Sequence, residues 1–207
     1  MGTRLTRWLI PLPAILFTFF PNRVSADATY RTWTCQTGSG SWQMQQPEAD
    51  YKTKNKTINS DTQVPGMQMF YAHPVTESLM VILLPKIEKI VGEKLTPTYS
   101  YARVYRNGSV LKEHIDRPSC EVSISIQLAA VGVKNENGWG IVMGEETLYL
   151  LDCDGVIYNG IKVPHKRDEL FCEPNGFQVQ TFCHYVKTNG RFSRFAYDKR
   201  MGPGITR

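Results

Sequence analysis

Apolar positions along the chain change their period once, close to Pro97. Before it, Val75, Leu79, Ile82, Leu83, Ile87, Ile90 and Val91 recur at steps of three and four, the stripe of an amphipathic helix. Gly92 supplies a stop, and Pro85 inside the stripe predicts a kink. Beyond Pro97 the period is two. Tyr99, Tyr101, Arg103 and Tyr105 fall on one face of a strand, and Ser100, Ala102 and Val104 fall on the other. Asn107-Gly108 then turns the chain. Further strands are expected over 110–115, 121–130, 147–151, 156–158 and 177–186. About six short strands with turn signals between them predict a mainly β protein, a sandwich or jelly roll with one helix packed outside.

The flanks behave differently. Residues 28–66 are rich in Gln, Thr, Ser and Lys without sustained periodicity, which predicts irregular structure with at most one short strand. Residues 1–26 carry Arg4 and Arg7, an apolar run over 8–20, and then Val24-Ser25-Ala26, the order of a secretory leader. That run is interrupted by Pro11 and Pro13 and falls short of the ~20 residues that span a bilayer. No later stretch is a candidate span. The expected division is a signal peptide at 1–26, an irregular segment at 27–66, a jelly-roll domain at 67–190 and a polar tail at 191–207.

Composition narrows the class. With 207 residues, 42% hydrophobic and 21% charged, the chain suits a single core. The formal charge of +5 includes Arg4, Arg7 and Arg23; without them 21 basic residues face 19 acidic ones, a net of +2. That balance excludes a phosphate-tracking surface, so no nucleic-acid partner is expected. Cys35, Cys120, Cys153, Cys172 and Cys183 show no C-x-x-C spacing. Two disulfides with one free thiol and a set of buried free thiols both remain open. Asn55-Lys56-Thr57 and Asn107-Gly108-Ser109 are glycosylation sequons that fit a secretory route, with the cytoplasm as the alternative.

Four histidines can be weighed singly. His114-Ile115-Asp116 ends a strand, where residues i and i+2 project to one side. His165 follows 49 residues after Asp116, past another strand and turn, and a folded-back sheet would bring it to the pair. Two histidines and one carboxylate form the facial triad of non-haem Fe(II) oxygenases. His184 reads as a hydrogen-bonded sheet residue, His73 needs no role, and Asp152 and Asp154 suit a turn.

The surroundings make the pattern more specific. Pro97 through Tyr105, then Gly108, Leu111 and His114-Ile115-Asp116-Arg117-Pro118-Ser119-Cys120-Glu121, resemble 2-oxoglutarate and Fe(II)-dependent oxygenases related to the prolyl 4-hydroxylase catalytic domain. Asp154 through Gly160, Pro164-His165-Lys166-Arg167 and the stretch ending His184-Tyr185-Val186 resemble the second half of the same proteins. The likeness covers residues 61–186. It implies a double-stranded β-helix in which His114, Asp116 and His165 hold Fe(II), with 2-oxoglutarate and O2 as cosubstrates and ascorbate as an admissible reductant. Oxidative decarboxylation to succinate and CO2 would accompany hydroxylation of a C–H bond, peptidyl proline first among substrates.

One departure is chemical. The family places a Lys or Arg on the strand after the distal histidine to pair with the far carboxylate of 2-oxoglutarate. Here that strand reads Phe177-Gln178-Val179-Gln180-Thr181-Phe182, without a cation. Arg167 is the first replacement, because a guanidinium meets a carboxylate bidentately; Arg103 and Tyr105 come next. Two other readings stay open: a non-catalytic jelly roll that recognises a peptide or glycan, and a zinc hydrolase using the same triad. A peptide or a small molecule is the expected partner.

Overall fold

A computed structural model describes residues 63–203 in full and, upstream, the backbone of two strands, β1 (Tyr30–Thr37) and β2 (Gly40–Pro47), which pair antiparallel. These two strands replace part of the irregular chain expected over 27–66. The leader, Asn55 and the side chain of Cys35 lie outside the described residues.

The remaining strands are β3 (Gln68–Tyr71), β4 (Leu95–Arg106), β5 (Leu111–His114), β6 (Val122–Val133), β7 (Ile141–Met143), β8 (Glu146–Leu148), β9 (Gly155–Tyr158), β10 (His165–Arg167) and β11 (Cys172–Lys187). They form a five-stranded sheet in the order β3-β4-β11-β6-β9 and a four-stranded sheet in the order β5-β10-β7-β8. All pairs are antiparallel. Two sheets that exchange successive strands in this way make the jelly roll, or double-stranded β-helix.

The helix α1 (Pro74–Val91) forms where the stripe predicts and runs through Pro85, but its buried face is turned from the expected one: Thr76, Glu77, Met80, Leu83 and Ile87 are buried, whereas Val75 and Ile82 are 49% and 63% exposed. His73 caps its start, with Nδ1 accepting from the Val75 amide at 3.3 Å, so this histidine has a structural role. Gly92 ends it at φ 75°, the left-handed conformation that a glycine C-cap tolerates. Met80, Leu83 and Ile87 pack against Val122, Ile124 and Ile126 of β6 and Cys183 and Tyr185 of β11. Each such side chain contributes ~1.5–3 kcal/mol on burial. No helix among the described residues is long and apolar enough to cross a membrane.

The tail is docked rather than free. A 3-10 segment, Ser193–Lys199, brings Asp198 to Tyr71 and to Arg117, whose Nη2 donates to it at 3.0 Å. Arg200 then enters the interior and donates to both oxygens of Glu77 at 3.0 and 3.2 Å. Cys120, Cys172 and Cys183 are free thiols, so of the two cysteine arrangements the one with two disulfides does not form.

Candidate metal centre

The last residue of β5 and the first of β10 face each other, since His114 and His165 are register partners. Their rings lie 4.3 Å apart between centroids. Asp116 follows on the loop, and its amide donates to the Gly160 carbonyl at 2.8 Å. That bond ties the loop after β5 to the turn after β9. Asp116 Oδ1 then sits 3.8 Å from His114 Nε2 and 3.7 Å from His165 Nε2.

These spacings are too long for hydrogen bonds and suit three atoms arranged around a common centre. The tautomers fit as well. His114 Nδ1 lies 2.8 Å from the Lys112 carbonyl and His165 Nδ1 lies 3.0 Å from the Val163 carbonyl. A carbonyl only accepts, so each Nδ1 carries the proton and each Nε2 presents its lone pair inward. Burial lowers the pKa of His165 below its ordinary value, which keeps the ring neutral. The donor set of two neutral imidazoles and one carboxylate fits a divalent metal such as Fe(II) or zinc.

Gly160 makes this placement sterically feasible. A Cβ there would lie 2.5 Å from Asp116 Oδ2 and 2.4 Å from the Cys120 carbonyl. Nothing in the residue spacing singles out Gly160, because Asn159-Gly160 reads as any other turn. Tyr158 supports the distal ring, edge-on to His165 at 5.0 Å.

The triad opens on a cavity of about 370 Å³ that also presents Tyr99, Tyr101, Arg103, Cys120, Phe182 and His184. Arg103 is buried at 2% exposure. Its Nη1 donates to Tyr105 Oη at 2.9 Å and its Nη2 to Gln63 Oε1 at 3.2 Å and Tyr101 Oη at 3.4 Å. The strand face expected from alternation thus points inward. Arg167 is buried at 1% exposure but does not line this cavity. Its guanidinium lies 4.8 Å from the Trp139 ring centroid, and Nη1 donates to the Trp139 carbonyl at 2.6 Å. Nε and Nη2 have no partner. Burial lowers its pKa to about 10, which leaves it charged at neutral pH. Only the fold brings Trp139 against Arg167.

His184 is the sheet residue its position predicts. Its Nδ1 lies 2.8 Å from Ser123 Oγ and its ring 4.6 Å from Tyr99. Asp152 accepts from Gln127 Nε2, and Asp154 accepts from the Leu151 amide, as turn residues do.

No protein-family model matches the chain. No curated protein matches it in sequence. Solved structures do match. HygX from Streptomyces hygroscopicus, with nickel and 2-oxoglutarate bound, is 15% identical with a TM-score of 0.51, covering 69% of this chain and 78% of that one. A Pseudomonas putida prolyl-4-hydroxylase is 14% identical with a TM-score of 0.48, covering 67% and 81%. A 2OG-Fe(II) oxygenase family oxidoreductase from Burkholderia pseudomallei is 14% identical with a TM-score of 0.43, covering 55% and 58%, so the chain spans a little over half of that protein. The chain has the jelly-roll fold of the 2OG-Fe(II) oxygenases, which agrees with the resemblance carried by its motifs.

Proposed function

We propose that this chain is a non-haem Fe(II)- and 2-oxoglutarate-dependent dioxygenase that hydroxylates a peptidyl proline or another amino-acid-like C–H bond. The observation that carries the reading is the convergence of His114 Nε2, Asp116 Oδ1 and His165 Nε2 on a cavity that also holds a buried guanidinium. Bound iron would supply the oxygen-activating chemistry. The chain's own part is to hold three donors, orient the cosubstrate and exclude water.

A carboxylate in a desolvated cavity is costly unless a cation meets it. Arg103 is the residue we assign to the far carboxylate of 2-oxoglutarate, because it shares the cavity with the triad. Tyr105 and Tyr101 hold its guanidinium in place from the acceptor side. This reverses the order of cations expected from the sequence. Arg167 stands second: it has donors to spare, but Trp139 lies against its guanidinium. HygX, which shares the fold, has nickel and 2-oxoglutarate bound in its structure. The leader-like segment and the sequon at Asn107, a residue exposed on the turn after β4, support a secretory location. Glycosidase-sensitive mass on the chain expressed with its own N-terminus checks that location.

The test of activity mixes the chain anaerobically with Fe(II) and 2-oxoglutarate, then admits oxygen. We expect a visible charge-transfer band before oxygen and succinate only after it, which neither a zinc hydrolase nor a binding module would give. His114→Ala, Asp116→Ala and His165→Ala should each lose both signals. Arg103→Ala should raise the 2-oxoglutarate requirement by roughly 30-fold or more, the equivalent of 2 to 5 kcal/mol for a carboxylate left unpaired. An Asp116→Ala chain that turns over normally overturns the assignment.

A further inference from the structure

Asp116 has two oxygens, and only Oδ1 serves the histidine pair. Oδ2 faces the other way, where Ser123 Oγ donates to it at 3.3 Å. Around that side stand Cys120 Sγ and a ring nitrogen of His184, which with an Asp116 oxygen lie within 4.8 Å of one another. All three residues line the same cavity as the triad. Ser123 Oγ, 2.8 Å from His184 Nδ1, holds the imidazole beside the carboxylate. Cys120 is fixed by its place in the 3-10 turn Pro118–Cys120, with its sulfur 3.2 Å from Tyr99 Oη.

We propose that Asp116, Cys120 and His184 form a second metal site, suited to a thiophilic divalent cation such as zinc. The donor chemistry separates it from its neighbour. The triad offers nitrogen and oxygen only, whereas this group adds a sulfur, and thiolate donors favour zinc over a harder ion. Binding needs no redox partner: the cation takes the thiolate and the Cys120 proton leaves to solvent. Since Asp116 belongs to both groups, its carboxylate would serve an ion in either one.

Cobalt(II) alone, added to the full chain, reports the sulfur directly through a near-ultraviolet sulfur-to-cobalt charge-transfer band. We expect that band in the wild-type chain and in His114→Ala, which disables the triad. Cys120→Ser should abolish it, and His184→Ala should weaken cobalt binding there at least tenfold. X-ray absorption on zinc-loaded His114→Ala should show a sulfur shell at about 2.3 Å. Saturating cobalt without a sulfur band in the wild type overturns the proposal, as does a band undiminished in Cys120→Ser. The iron and 2-oxoglutarate band depends on His114 and His165, and the sulfur band on Cys120 and His184. Failure of the oxygenase reading and failure of this one are therefore distinguishable.

Discussion

The two faces of the five-stranded sheet are both buried, yet they are built from opposite chemistry. On β6, Val122, Ile124 and Ile126 turn toward α1, while Ser123, Ser125 and Gln127 turn inward at 5% exposure or less. On β11, Cys183 and Tyr185 join the helix side, and Gln178, Gln180 and His184 face the interior with Arg103 and Tyr105 of β4. Burial of apolar area on the outer face stabilises the fold. Burial of hydroxyls, amides and guanidinium groups on the inner face costs free energy wherever a hydrogen bond is missing. Part of the inner face is itself core, since Tyr105 packs with Leu111, Trp139 and Leu170, and its buried polar groups are where the fold gives up stability for a site.

Truncation on the helix side should expose that division most strongly. Ile87 is fully buried among Met80, Leu83 and Ile124. Ile87→Ala should cost about 2–5 kcal/mol in chemical denaturation, from lost transfer energy plus a cavity. Metal affinity and the 2-oxoglutarate requirement should stay at wild-type values. A matching fall in metal affinity would show that the two faces are coupled.

Acid should attack the inner face next. Burial lowers the pKa of His184 to about 4, against an ordinary value of 6.5. As pH falls below about 6.5, the unfolded chain takes up a proton that the folded ring refuses, so stability drops until it levels near the folded value. The contribution is complete above that window and amounts to about 3 kcal/mol across it. His165, also lowered by burial, acts in the same direction. Denaturation of the metal-free chain at neutral pH and near pH 4.5, compared with His184→Gln, measures the difference. Equal pH dependence in the two chains would remove the assignment.

The sequence showed the outer face and the triad more plainly than the rest of the interior. The stripe of α1 and the alternation through Tyr99, Tyr101, Arg103 and Tyr105 are long enough to declare their period. The H-x-D pair declares itself through residue types that a strand end brings together. Strands β3, β7 and β10 have only four, three and three residues, too few to show any period, and His165-Lys166-Arg167 reads as loop beside Asp168 and Glu169. The last strand was expected from Phe177, but β11 begins at Cys172 and takes in Pro174-Asn175-Gly176, where the pairing with β6 slips between Cys172 and Phe177. The docked tail was hidden for another reason. Arg200 looks like any basic residue near a terminus until Glu77, far away in sequence, is seen beneath it.

Gln178 gives the smallest and sharpest test of the contrast. It is fully buried, and neither its Oε1 nor its Nε2 has a partner. It pairs in register with Tyr105, whose hydroxyl accepts from Arg103. A buried amide left unsatisfied costs about 1–3 kcal/mol, and an apolar side chain of similar shape carries no such penalty. Gln178→Leu should therefore stabilise the ligand-free chain by up to that amount, a gain no residue of the outer face should give on a comparable change. Gln178 does not line the cavity of the triad, so the same variant should keep the wild-type 2-oxoglutarate requirement. Denaturation without cosubstrate, followed by titration with it, checks both outcomes. A chain made less stable by the substitution would mean that the amide has hydrogen-bond partners in solution, and the inner face would then be a satisfied polar core rather than a site held open.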